Sequence, residues 1–62
     1  MFEVGKTYGY MDDGYFRTLR VDYIQHVKGK PDVAIGVANA GDPDEFWDYS
    51  EMSEFGHGWR EL

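Results

Sequence analysis

Turn-forming clusters recur along this chain with the punctuation of a β meander. Asp12-Asp13-Gly14, Lys28-Gly29-Lys30-Pro31, Asn39-Ala40-Gly41-Asp42-Pro43-Asp44 and Gly56-His57-Gly58 divide 62 residues into short stretches. Glycine takes the positive φ that tight turns demand, and proline fixes φ and stiffens the loop. The stretches between are rich in Val, Ile, Thr and aromatic residues, which favour a pleated, half-buried surface. The punctuation predicts a β meander in a single domain, 1–62, with no repeat and no linker.

The runs can be placed individually. Phe2 to Gly5 leads into a first strand over Lys6 to Met11. Asp13-Gly14 between two β-rich runs is a hairpin signal of the type I′ kind. Tyr15 to Val27 reads as the longest strand, with Leu19, Val21 and Tyr23 on one face and Thr18, Arg20 and Asp22 on the other. Ile24 breaks this parity, which predicts a bulge or bend near Tyr23–Gln25. Asp32 to Ala38 is a third strand with a large face (Val33, Ile35, Val37) and a small one (Ala34, Gly36, Ala38). The small face predicts close approach by another backbone. Glu45 to Ser50 is a fourth strand, with Trp47 and Tyr49 on one side and Phe46 and Asp48 on the other. A short helical turn is expected within 50–55, with Asp48 and Glu51 at the spacing of a capping pair. Trp59 to Leu62 closes the chain as a short strand. The fold class is therefore all-β (mainly β): a small, partly open SH3-like barrel of four to five antiparallel strands. A three- or four-stranded sheet closed by dimerisation is the alternative.

A domain this small buries too little surface for comfort and usually needs a staple. The chain has no cysteine, so disulfides and thiolate metal sites are out of reach. Its eleven aromatic residues are the substitute. Such a core can hardly enclose all of them, so some must face solvent, a second subunit or another protein.

The net charge of −6 is unevenly spread. Residues 1–39 balance Glu3, Asp12, Asp13, Asp22 and Asp32 against Lys6, Arg17, Arg20, Lys28 and Lys30. Residues 40–62 set Asp42, Asp44, Glu45, Asp48, Glu51, Glu54 and Glu61 against Arg60 alone. Phosphates would be repelled from that last third, so direct nucleic-acid binding there is not expected. The opening Met-Phe-Glu-Val-Gly carries no basic region followed by an apolar run, and no stretch approaches membrane-spanning length. A cytoplasmic location, with no membrane partner, is the expectation.

The series Phe2-Glu3-Val4-Gly5-Lys6-Thr7-Tyr8, then Pro31-Asp32-Val33-Ala34-Ile35-Gly36-Val37, then Gly58-Trp59-Arg60-Glu61-Leu62 resembles small bacteriophage-type β-barrel proteins that open with Val-Gly-Lys-x-Tyr. The resemblance implies a phage or prophage origin and a host-cell cytoplasm. It brings no catalytic residues with it.

Most candidate sites dissolve when weighed against ordinary structural roles. Asp42-Pro43-Asp44-Glu45 lacks the alternating ligands and distant Glu of a calcium loop, and it reads as a solvated acidic turn. His26 and His57 are too few and too far apart for zinc. Ser50 and Ser53 sit in no nucleophile motif. Arg17, Arg20, Lys28 and Lys30, with Phe16 and Tyr23 interleaved, are offset by as many acids and read as a solvated strand face. No cofactor and no enzymatic activity are expected. The feature that remains is Asp42 to Glu54, where Asp42, Asp44, Glu45, Asp48, Glu51 and Glu54 alternate with Phe46, Trp47 and Tyr49. Trp and Tyr anchor protein interfaces, and an acidic rim steers a basic partner. The expectation is a protein-binding module that modulates or inhibits a host protein. Nucleic-acid mimicry by the clustered carboxylates, or a homo-oligomeric (possible homodimer) virion component, are the alternatives.

Overall fold

The computed structural model describes residues 1–62 as one antiparallel sheet plus a single 3₁₀ turn. The strands are β1 (Thr7–Asp12), β2 (Tyr15–Gln25), β3 (Val33–Ala38), β4 (Phe46–Glu51) and β5 (Arg60–Glu61), with the 3₁₀ turn at Met52–His57. Their order across the sheet is β4-β3-β2-β1-β5. The sheet is open, with β4 and β5 as its two edges, so the architecture is the partly open form of a small barrel. Asp13 and Gly14 both take positive φ, at 48° and 88°, as a type I′ hairpin requires.

Cross-strand partners define the two faces. Tyr8 opposes Leu19, Val21 opposes Gly36, Ile24 opposes Ala34, and Ala34 opposes Ser50. This inner face carries the buried core of Tyr8, Leu19, Val21 and Ala34. Phe2 and Trp59 complete it from the chain's two ends, with Tyr10, Ile24, Met52 and Phe55 packed alongside. The expected aromatic staple is here. Phe2 meets Tyr8, Phe55 and Trp59 edge-on at 5.1, 5.1 and 5.4 Å. Each such pair adds roughly 0.5–1.5 kcal/mol beyond burial. The Tyr8 hydroxyl donates to the Met1 carbonyl at 3.2 Å and accepts from the Glu3 N–H at 2.8 Å, tying the N-terminal segment to the core. Tyr8→Phe is expected to cost about 1 kcal/mol, a fall of roughly 4–8 °C in Tm by circular dichroism.

The parity of β2 departs from expectation in one respect. The register slips between Val21 and Tyr23, leaving Asp22 as the extra residue. The bulge thus begins before Tyr23, not after it, and Tyr23 does not share a face with Leu19 and Val21. It stands on the outer face, half exposed. The bulge also explains the small face of β3. A Cβ added to Gly36 would lie 1.7 Å from the Arg20 carbonyl oxygen, so this is the close backbone approach that the sequence predicts. The small residues of β3 line the interior, and Val33, Ile35 and Val37 stand half-buried on the outside.

The capping pair is also corrected. Ser50 and Glu51 still belong to β4, paired with Ala34 and Val33, so the helical turn starts later and its reciprocal cap joins Glu51 to Glu54, not Asp48 to Glu51.

Candidate interaction surface

Strand alternation divides the acidic-aromatic segment between two sides of the sheet. Trp47, Tyr49 and Glu51 oppose Val37, Ile35 and Val33 on the outer face. Tyr23 joins them from β2, opposite Ile35. Trp47 and Tyr49 are 69% and 66% exposed, and Tyr23 is 51% exposed. The result is an aromatic and aliphatic strip across β2, β3 and β4 that nothing in the domain covers. An exposed apolar patch of this kind marks an interaction surface more often than a scattered hydrophobe does. Tyr23, Ile35 and Val37 are its members that the sequence did not single out. The large face of β3 was the signal, once the smaller face is recognised as the interior.

The rim of the strip is acidic. Asp42, Asp44 and Glu45 lie in the β3–β4 connection, all exposed, and the Glu45 carboxylate accepts the Gly41 N–H at 2.9 Å. Glu51 borders the far end. Arg20 is the nearest base, but Asp22 holds it at 3.0 Å. The hydrogen bond and charge of Asp22 raise the Arg20 pKa above its ordinary value, so its charge is already matched. The four predicted bases form no patch: Arg17 points to the inner side and Arg20 to the outer, and Lys28 and Lys30 sit in an exposed turn.

On the inner side, Phe46 opposes Ala38 at the end of the sheet and is 54% exposed. Asp48 and Glu54 line a cleft of about 430 Å³ at the open end of the barrel, with Asp12, Arg17, His57 and Trp59. Its one arginine engages two of its carboxylates. Arg17 bonds Asp48 at 3.0 Å, lies 3.6 Å from Asp12 and stacks over Trp59 at 5.7 Å. Tyr10 stacks on the same Trp59 ring at 5.1 Å. Glu54 accepts the Glu51 N–H at 3.0 Å and the Ser50 hydroxyl at 3.4 Å. Arg17, Asp12 and Tyr10 reach this cleft from strands distant in sequence, which composition does not announce. Elsewhere, His26 lies 2.9 Å from Asp32 on the exposed β2–β3 side. Glu3 and then Glu61 raise the Lys6 pKa, pinning the N-terminal segment beside β5.

No protein-family model, curated protein or solved structure matches the chain. No helix is long and apolar enough to cross a membrane.

Proposed function

We propose that this domain is a non-enzymatic binding module that docks the outer face of β2, β3 and β4 onto a basic surface of another protein. The observation that carries this reading is the exposure of Trp47 and Tyr49 side by side on a rigid sheet, away from the core. Rigid aromatic anchors ringed by charge are the composition of interface hot spots. The acidic rim of Asp42, Asp44, Glu45 and Glu51 supplies complementarity to cations and a faster encounter. The resemblance to small phage proteins extends the proposal to a host protein as the partner and to inhibition or modulation as the outcome.

Affinity capture from a host lysate, run in parallel with wild type and a Trp47→Ala/Tyr49→Ala variant, tests the proposal. A protein retained by wild type, lost by the folded variant and released progressively by salt is the expected result. Equal capture by both forms overturns it. Competition of the captured protein by duplex DNA, with a steep salt slope, would transfer support to nucleic-acid mimicry.

A further inference from the structure

The free edge of β4 carries a second, independent feature. In an antiparallel pair, alternate residues turn their N–H groups toward the partner strand. Met52 donates to the Asp32 carbonyl at 3.0 Å, and the β3–β4 register then turns Ser50 and Asp48 toward β3 and Trp47, Tyr49 and Glu51 toward the open edge. Carboxylates cover two of those three outward N–H groups. Tyr49 donates to Asp48 Oδ1 at 2.8 Å, and Glu51 donates to Glu54 Oε1 at 3.0 Å. The opposite edge needs no such cover, because β5 is two residues long.

We infer that the β4 edge is a pairing surface for a second copy of this chain, held closed by Asp48 and Glu54. The edge is self-complementary in register. A two-fold axis through Tyr49 sets Tyr49 on its own copy, Trp47 opposite Glu51 of the second copy, and Asp48 opposite Ser50 of the second copy. Within the strand no carboxylate faces another across the join, where like charges would be destabilising. The aromatic strip of the outer face then runs without interruption from one copy into the next. Contact along one six-residue strand falls in the small class of interfaces and is weak. Two occupied amides and mutual repulsion between chains of net charge −6 therefore suffice to keep the edges apart.

Amide hydrogen exchange on the wild-type protein tests the closure directly. The Tyr49 and Glu51 amides are expected to exchange roughly tenfold more slowly than that of Trp47; equal, unprotected rates overturn the inference. Sedimentation tests the pairing. Wild type is expected to be monomeric at high micromolar concentration, and a folded Asp48→Ala/Glu54→Ala variant dimeric. Adding Tyr49→Pro, which removes the central outward N–H at an edge position that tolerates proline, should restore the monomer. A wild-type dimer, a folded double variant that stays monomeric, or a dimer that survives Tyr49→Pro each overturns it. None of these readouts depends on the heterologous partner proposed above.

Discussion

Gly36→Ala is expected to destabilise the domain by about 3 kcal/mol or more, a third or more of its stability. The added methyl carbon would sit 1.7 Å from the Arg20 carbonyl oxygen and 3.1 Å from the Asp22 nitrogen. The obstacle is backbone, so no rotamer change relieves it. Either the bulge in β2 reshapes or the β2–β3 pairing opens, and that pairing carries Leu19, Val21 and Ala34, half of the buried core. Overpacking a core with one methyl group commonly costs about 1–3 kcal/mol, with more where backbone must shift. A chain of this length has only about 3–9 kcal/mol in total to lose. Urea titration followed by circular dichroism checks the outcome. A Gly36→Ala domain with near-native stability would show that the Arg20–Asp22 backbone moves freely, contrary to the tight approach described.

The two tryptophans are expected to respond to alanine in opposite ways. Trp59 is 7% exposed and contacts Phe2, Tyr10 and Arg17. Trp59→Ala removes a central part of the aromatic staple and should cost about 3–5 kcal/mol, enough to lose most of the folded population. Trp47 is 69% exposed on the outer face. Trp47→Ala should shift stability by less than about 0.5 kcal/mol. It should nevertheless weaken partner binding by about 2 kcal/mol or more, close to thirtyfold, if Trp47 is an interface anchor. Thermal melts and titration calorimetry with the captured partner separate the two effects. A Trp47→Ala variant that melts early but binds normally would move Trp47 from the interface to the scaffold.

The strands were readable because turn chemistry is local. Asp13-Gly14, Gly29 and Gly41 name their own turns, and β-rich runs between them leave little choice. The failures have a different origin. Tyr23 lies on the face opposite to the one expected because alternation records parity but not the position of the residue that breaks it. The capping pair falls later than expected because the end of β4 is set by pairing with β3, which carries Glu51 into the strand and makes it the cap of the turn that follows. The split of Trp47 and Tyr49 from Phe46 and Asp48 follows from strand alternation and holds in the structure; what alternation leaves open is which of the two sides is the interior. Arg17, Asp12 and Tyr10 meet Asp48 and Glu54 only because β1 and β2 cross the mouth of the barrel.

The residue at the β2 bulge has an effect beyond its neighbourhood. Asp22 has no opposite number on β3, so it sets the phase of every β2 position that follows. Were Asp22 paired with Ile35 in unbroken alternation, Tyr23 would turn inward and Ile24 outward without altering a single side chain, whereas deleting Asp22 would keep both on their present faces. In this domain the division between interior and surface is written partly as a length. Substitution scans read composition and are blind to it, whereas single-residue insertions and deletions around position 22 address it directly.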